Sequence, residues 1–290
     1  MPKILMKTIK HVGVIGAGTM GRGIVEVMAR QEIDVYLYDQ DRSAVERAFV
    51  HIQNQLDKQV YRTKISEQQK MKMLASIHPV DQLHAFHTCD LIIEAIMEEM
   101  SVKQQLFKAL EKVVSTSCIL ATNTSSLSVT EIASVMQNPK RMLALHFFNP
   151  APKMPLVEVV VGVHTDQNVA EEMKTWLKQT LLKEPVMVRD APGFIVNRVA
   201  RPFHTEAYRM VASGETSKTQ VDNILQDAGF KMGPFQLQDL IGIDINYAAS
   251  MSVYESFNHE PRLRPHPNQQ KMLQSGLLGR KTKKGHYHYE

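Results

Sequence analysis

A histidine and a glutamate in two neighbouring apolar segments form a candidate acid–base pair. His146 ends one segment, and Glu158 lies inside the next, within Leu-Val-Glu-Val-Val. A carboxylate in an apolar strand is costly unless it has a partner, and a histidine at the neighbouring strand end is a natural one. The carboxylate would bind one ring N–H while the other ring nitrogen takes a proton from a substrate hydroxyl. From spacing alone, His146 could equally be a structural histidine and Glu158 an edge-strand charge.

A glycine-rich loop near the start of the chain indicates a dinucleotide site. Gly16, Gly18 and Gly21 form the pattern G-x-G-x-x-G between an apolar strand and an amphipathic helix. Gly16 permits a tight turn, Gly18 lets the backbone approach a pyrophosphate, and Gly21 lets the helix pack closely on the strand. The backbone N–H groups at the start of this helix, at Thr19 and Met20, can then bind phosphate.

The acid that follows this loop indicates which dinucleotide binds. Asp39 closes a predicted strand, eighteen residues after Gly21. A carboxylate there accepts hydrogen bonds from an adenosine ribose and repels a 2′-phosphate, so we expect NAD rather than NADP. The alternative is a plain turn with a strand-end acid. The order strand, loop, helix, strand favours the dinucleotide site.

Strands and helices alternate over the first 190 residues, which predicts a Rossmann-type α/β fold with a mostly parallel sheet. The strands are expected at residues 12–15, 35–38, 91–95, 118–122, 142–146, 157–161 and 186–188. Single helices are expected at residues 20–30, 101–114, 128–136 and 169–181. Two further helices, at about 43–60 and 66–75, predict a helical-hairpin insertion where a plain βαβ unit has one crossover helix.

The sequence pattern changes at residues 189–193, which contain a proline and a glycine. Beyond this point no strand alternation is visible before the last few residues. Helices are expected at residues 195–213, 217–227, 234–251 and 266–275. We therefore predict an NAD-binding domain at residues 1–189 and an all-α domain at residues 190–290.

Composition excludes several classes of protein. The chain has 290 residues, 43% of them hydrophobic, which argues against intrinsic disorder. Its apolar runs are too short for a membrane span, and the net charge of +4 is divided evenly, so neither membrane nor nucleic acid is an expected partner. Cys89 and Cys118 cannot form a disulfide framework, and no histidine cluster has ligand spacing. We therefore expect no metal and a cytoplasmic location, with little room for a signal peptide before the strand pattern begins.

Several motifs together resemble the 3-hydroxyacyl-CoA dehydrogenase family, and the single-function 3-hydroxybutyryl-CoA dehydrogenases are closest in length. The motifs lie at residues 16–21, 123–127, 146–154, 192–198, 233–244 and 279–282. They follow one collinear order over nearly the whole chain. The resemblance implies reversible, NAD-dependent oxidation of an (S)-3-hydroxyacyl-CoA, of short chain, to the 3-oxoacyl-CoA. It also implies a homodimer formed through the carboxyl-terminal domain, which closes over the acyl-CoA.

The resemblance assigns roles to individual residues on the substrate side. His146 corresponds to the catalytic base and Glu158 to the acid paired with it. Ser125 and Asn197 match positions that contact the substrate near its reacting oxygen. Asn197 lies just past the predicted domain boundary.

The cofactor side is assigned in the same way. Asp39 matches the acid that binds the adenosine ribose, and Glu98 and Lys103 match positions that line the nicotinamide half of the site. Ser125 and Asn149 are implied on both the cofactor and the substrate side.

Two rival functions, one unusual helix end and two departures from the family pattern remain. The rivals are a dehydrogenase of a free hydroxy or sugar acid, and a non-catalytic NAD-binding protein. Glu32 stands where a turn glycine commonly ends the first helix. In the tail, Lys283 replaces a glycine of the family and His286 replaces an aromatic residue.

Overall fold

The computed structural model describes residues 9–290, and the expectation about a signal peptide at the first residues lies outside this range. The chain divides into two compact units between Asp190 and Ala191, one residue after the predicted end of the first domain. Each unit has its own elements.

The amino-terminal unit is built on one eight-stranded sheet with the order β3-β2-β1-β4-β5-β6-β7-β8. The strands are β1 His11–Ile15, β2 Asp34–Tyr38, β3 Ile77–Pro79, β4 Leu91–Glu94, β5 Ile119–Thr122, β6 Met142–Phe147, β7 Leu156–Val161 and β8 Glu184–Arg189. All neighbours pair in parallel except β6 and β7, which are antiparallel. The mostly parallel Rossmann-type sheet is therefore confirmed.

Helices cover this sheet and bury its central strands. They are α1 Thr19–Ala29, α2 Arg42–Tyr61, α3 Glu67–Ala75, α4 Met100–Leu110, α5 Val129–Ala133 and α6 Gln167–Gln179. Every residue of β4, β5 and β6 is buried, as expected for strands covered on both faces. The carboxyl ends of these strands consequently meet at one edge of a rigid core.

The predicted helical hairpin is present as α2 and α3. Asp41 caps α2 by accepting a hydrogen bond from the backbone N–H of Ser43. Ser66 and Gln69 form a reciprocal capping box at the start of α3.

The carboxyl-terminal unit consists of helices, as predicted. These are α7 Val196–Ala212, α8 Lys218–Asp227, α9 Pro234–Ile241, α10 Ile243–Ser256 and α11 Pro267–Gln274. The single helix predicted at residues 234–251 is wrong, because Gly242 separates α9 from α10 with a φ of +107°. Only glycine adopts such a conformation readily, so the chain turns there.

The tail of this unit is held by two buried carboxylates. Asp239 accepts hydrogen bonds from the backbone N–H groups of His286 and Tyr287, at 2.9 and 3.0 Å. The Tyr287 hydroxyl donates to Asp222 at 2.8 Å. Lys283 has a φ of +58°, the left-handed conformation in which a glycine costs least.

Candidate active site

His146 and Glu158 form a buried hydrogen-bonded pair. The His146 Nδ1 atom lies 2.7 Å from Glu158 Oε2. Their side chains are 7% and 1% exposed. An ionised carboxylate can only accept, so Nδ1 carries the hydrogen of this bond. The neutral ring then has its lone pair on Nε2, the nitrogen suited to accept a proton.

The sheet register brings these two residues together. His146 on β6 stands directly opposite Glu158 on the antiparallel β7. Directly opposed residues of an antiparallel pair have side chains on the same face of the sheet and about 5 Å between Cβ atoms. The antiparallel strand is therefore what places a carboxylate against the histidine.

A neighbouring strand holds the backbone next to His146. Asn123 follows β5, and its Oδ1 accepts a hydrogen bond of 2.9 Å from the backbone N–H of Phe147. Asn123 was not among the residues predicted to lie in the site. Its place directly before Thr124 and Ser125, at the end of a buried strand, was the signal that could have identified it.

Glu98 organises the loop that carries Ser125. Its Oε1 accepts hydrogen bonds from the backbone N–H groups of Ser125 and Ser126, at 3.0 and 3.3 Å, and from the Thr124 hydroxyl. Burial raises the pKa of Glu98, but the Lys103 charge and these hydrogen bonds outweigh it and lower the pKa below its usual value. The carboxylate is thereby kept ionised as an acceptor for the loop.

Lys103 lies beneath this loop rather than on its surface. Its side chain is 1% exposed, and its Nζ atom lies 2.6 Å from Glu94 Oε1 and 3.2 Å from Glu98 Oε2. Glu94 is fully buried and also accepts hydrogen bonds from the Thr122 hydroxyl and the Ile96 N–H, at 2.7 and 2.8 Å. Sequence reasoning missed Glu94, although a carboxylate ending the apolar strand β4 is the kind of signal that identified Glu158.

The glycine loop has the shape that a dinucleotide pyrophosphate requires. A Cβ atom on Gly16 would lie 2.4 Å from the Ala95 carbonyl oxygen, and one on Gly21 would lie 1.7 Å from the Gly16 carbonyl oxygen. A Cβ on Gly18 would meet nothing within 4 Å. Protein packing thus demands the first and third glycines, whereas the second leaves open space over the start of α1.

The start of α1 suits a phosphate for a second reason. Gly18 is its N-cap and provides no side-chain capping bond, so the N–H groups beginning at Thr19 and Met20 are available to a ligand. The residues present therefore fit the phosphates of NAD.

Asp39 is attached to the same loop. Its Oδ2 accepts a hydrogen bond of 2.7 Å from the backbone N–H of Ala17, and its Oδ1 accepts one from Asp41 N–H. These bonds hold the carboxylate beside the glycine turn, where its remaining lone pairs suit ribose hydroxyls.

Two further expected site residues are Asn149 and Asn197. Asn149 is exposed, follows β6 and precedes Pro150 in a cis peptide bond. Asn197 belongs to the carboxyl-terminal unit, in the first turn of α7, and its carbonyl oxygen accepts a hydrogen bond from Arg201 Nε.

Among residues 9–290, no group of three or more His, Cys, Asp or Glu side chains is placed to hold a metal ion. No helix in the same range is long and apolar enough to cross a membrane.

Two family profiles match the chain, one after the other. The 3-hydroxyacyl-CoA dehydrogenase NAD binding domain matches residues 11–191, and the carboxyl-terminal domain of the same family matches residues 193–289. The first match identifies NAD as the dinucleotide of the glycine loop.

Individual relatives agree with these matches. The 3-hydroxyadipyl-CoA dehydrogenase of Escherichia coli K12 is 43% identical over 98% of this chain, but the chain spans only 60% of that relative. The 3-hydroxybutyryl-CoA dehydrogenase of Clostridioides difficile is 39% identical, with 96% of this chain and 99% of the relative covered. The solved structure of (S)-3-hydroxybutyryl-CoA dehydrogenase from Ralstonia eutropha has a TM-score of 0.92 at 33% identity, covering 98% of this chain and 100% of that one. The chain therefore belongs to the 3-hydroxyacyl-CoA dehydrogenase family of NAD-dependent oxidoreductases.

Proposed function

We propose that this protein catalyses the reversible oxidation of a short-chain (S)-3-hydroxyacyl-CoA to the 3-oxoacyl-CoA, with His146 as general base. The observation that carries the proposal is the buried His146–Glu158 pair, 2.7 Å between Nδ1 and Oε2, in a chain of this family. The names of the matched relatives, which include 3-hydroxybutyryl-CoA dehydrogenases, support the short chain.

The two ring nitrogens of His146 have different roles in the proposed proton transfer. Nε2 of His146 accepts the proton of the C3 hydroxyl as the C3–H bond breaks and the C3=O bond forms. Glu158, already bonded to Nδ1, stabilises the positive charge that develops on the ring. In the reverse direction the imidazolium returns the proton to the carbonyl oxygen. NAD⁺, when bound, supplies the acceptor for the hydride that leaves C3.

Other residues of the chain orient the reactants. Ser125 sits on the loop held by Glu98, so its position is set by the Glu98 hydrogen bonds. We assign Ser125 and Asn197 to the reacting oxygen of the substrate, and Asn149 to both substrate and cofactor, as the family resemblance implies. The phosphates and adenosine ribose of NAD are assigned to Gly16, Gly18, Thr19, Met20, Gly21 and Asp39. Glu98 is assigned to the nicotinamide side.

Lys103 takes a different part in this proposal from the one that the resemblance implies. Its ammonium is 1% exposed and lies between two carboxylates. It therefore acts on the cofactor site through Glu98, by keeping that carboxylate ionised and in place.

We also propose that the protein binds acyl-CoA as its substrate and works as a homodimer. Several large apolar side chains of the carboxyl-terminal unit are exposed, among them Val199 at 67% and Ile245 at 53%. Exposed apolar side chains that form one continuous patch favour a protein–protein interface, which is the role proposed for this surface. Cys89 and Cys118 are buried and form no disulfide, which supports the reducing cytoplasm as the compartment.

The test is NADH consumption by the purified protein with acetoacetyl-CoA as substrate, compared with free acetoacetate. We expect oxidation of NADH with the thioester and little with the free acid. His146→Ala should lower kcat by about 100- to 10,000-fold, the usual contribution of a general acid–base residue. Absence of turnover by folded, NADH-binding wild type would favour the non-catalytic rival, and equal rates with the free acid would favour the hydroxy-acid rival.

A further inference from the structure

A cavity of about 230 Å³ lies beside the carboxyl end of α1, away from the glycine loop. Its walls come from the end of α1, from the segment between β6 and β7, and from the segment that precedes β8. An α-helix rises 1.5 Å per residue, so the two ends of α1 are about 16 Å apart. The cavity is therefore separate from the proposed phosphate site of NAD at Gly18.

Cationic side chains dominate this cavity. Arg30, Lys153 and Lys183 all line it, and no lining residue among those described is acidic. The carboxylate that approaches these cations is Glu26, which accepts a hydrogen bond of 2.6 Å from Arg30 Nη2. The group as a whole keeps an excess of positive charge.

Lys183 is the most deeply placed of the three cations. It is only 6% exposed, and its Nζ donates to the carbonyl oxygens of Ala151 and Met154, at 2.7 and 2.8 Å. Both acceptors are neutral, so neither balances the charge. Burial, and then the nearby charge of Arg30, lower the pKa of Lys183. Two cations that repel each other across a small cavity are a favourable setting for an anion.

Arg30 retains donor capacity toward such an anion. A guanidinium has five N–H donors, and the Nη2 of Arg30 donates to Glu26 at 2.6 Å, so further donors of the group remain for a ligand in the cavity that Arg30 lines. Lys153 is exposed at the rim and adds a mobile point charge.

We propose that this cavity binds a compact phosphate, either inorganic phosphate or the phosphate of a small monoester, between Arg30, Lys153 and Lys183. A phosphate presents acceptor oxygens in several directions and carries more than one negative charge, which matches donors that converge from three segments. Apolar walls from Val27, Pro152 and Leu181 leave room for the small body of an ester.

A phosphate bound at this site would affect the position of the segment that follows β6. Lys183 holds the carbonyls of Ala151 and Met154, and that segment begins just after β6, which carries His146. The inference concerns binding alone, so it stands or falls independently of the proposed reaction.

The experiment is calorimetric titration of the NAD-saturated protein with inorganic phosphate and, separately, with glycerol phosphate, at constant ionic strength. Saturating NAD removes the glycine loop as a competing phosphate site. We expect one binding event, weakened about tenfold or more in Arg30→Gln and in Lys153→Gln, since a hydrogen bond to a charged group contributes about 1.5–3 kcal/mol.

Lys112→Gln is the matched control, because Lys112 is equally exposed and does not line the cavity. Lys153 is exposed, so its variant keeps the test independent of folding even if Arg30→Gln is unstable. Binding of the monoester but not of inorganic phosphate would support the ester as the ligand. No binding of either compound, or equal affinity in wild type and Lys153→Gln, would overturn the proposal.

Discussion

The chemistry of the candidate site depends on a few side chains whose hydrogen bonds determine which of their atoms carries a proton. Nδ1 of His146 faces a carboxylate that is 1% exposed, and this contact determines which ring nitrogen is the base. A histidine without that partner could adopt either tautomer. In the proposed mechanism, the pair therefore sets which ring nitrogen exchanges the proton, and it stabilises the charged ring.

Replacement of Glu158 by glutamine tests whether His146 needs a carboxylate partner. Glu158→Gln keeps the shape but offers a neutral amide, so we expect kcat to fall by about 100- to 10,000-fold with little change in NADH affinity. Steady-state rates and NADH fluorescence titration measure the two effects. Glu184→Gln, an exposed glutamate on β8, is the control and should retain full activity. Wild-type kcat in Glu158→Gln would show that His146 needs no carboxylate.

Much of this site could be predicted from residue types, and some of it could not. His146 and Glu158 were visible because each is a polar residue in an apolar segment. That Asn123 binds Phe147 N–H, and that Glu94 accepts from Lys103, follows from contacts between strands and helices. A sequence indicates where strands end, but it does not show which residues of neighbouring strands and helices will be hydrogen-bond partners.

Among the elements, β4, β5 and α4 are joined by one network of charges, in which Lys103 and Glu94 are buried and Glu98 is 36% exposed. Lys103 on α4 bonds to Glu94 at the end of β4 and to Glu98, which holds the loop after β5. One cation serves two carboxylates, and hydroxyl and backbone donors satisfy the rest. The network thus positions the loop of Ser125 through the end of the sheet.

Loss of that cation should destabilise the protein strongly. Lys103→Met leaves two carboxylates without their counter-charge, which typically costs about 3–5 kcal/mol of unfolding free energy. Denaturant unfolding measures the change. Lys108→Met removes an exposed lysine from the same helix and should change stability by less than about 0.5 kcal/mol. Similar stabilities of the two variants would contradict a structural role for Lys103.

The turn after α1 carries strain that can be relieved. Glu32 is exposed and has a φ of +54°, where a side chain is unfavourable. Glu32→Gly should raise the unfolding free energy by about 0.5–1 kcal/mol, because the relieved strain exceeds the added entropy of the unfolded chain. Glu46→Gly, inside α2, should instead lower it by about 1 kcal/mol. A destabilised Glu32→Gly protein would show that its neighbours compensate the conformation.

The elements themselves were mostly predictable from their periodicity. The seven predicted strands and the helical hairpin are present because buried strands and capped helices leave strong local signals. The short β3 was not predicted, since Ile77–Pro79 has three residues and ends in a proline. The break at Gly242 was missed because apolar residues continue on both sides, whereas the turn depends on a positive φ.

At the scale of the whole molecule, two histidines make the stability of the carboxyl-terminal unit depend on pH. In the carboxyl-terminal unit, burial lowers the pKa of His286 to about 4 and that of His204 to about 3. Both folded values lie below the ordinary 6.5, so the unfolded chain binds protons first as the pH falls. The stability that these histidines contribute is complete above pH 6.5 and is lost as the pH falls toward 4.

Restoring an aromatic residue at the tail should reduce this loss. One pKa unit corresponds to about 1.4 kcal/mol. Between pH 7 and pH 5, the free energy of unfolding of His286→Phe should therefore fall by about 2 kcal/mol less than that of the wild type. His288→Phe, on the exposed side of the same tail, should behave as wild type. Unfolding free energies at the two pH values measure the difference, and identical losses in all three proteins would exclude His286 as the origin.

In the proposed reaction, His146 and Glu158 act as one unit in the oxidation of a 3-hydroxyacyl-CoA. A double-mutant cycle on kcat, with acetoacetyl-CoA and NADH, measures whether they do. Groups that act together are strongly non-additive, so the protein carrying both His146→Ala and Glu158→Gln should be about as slow as His146→Ala alone. Losses that multiply in the double variant, or full activity in His146→Ala, would show that the two residues do not act as a catalytic pair.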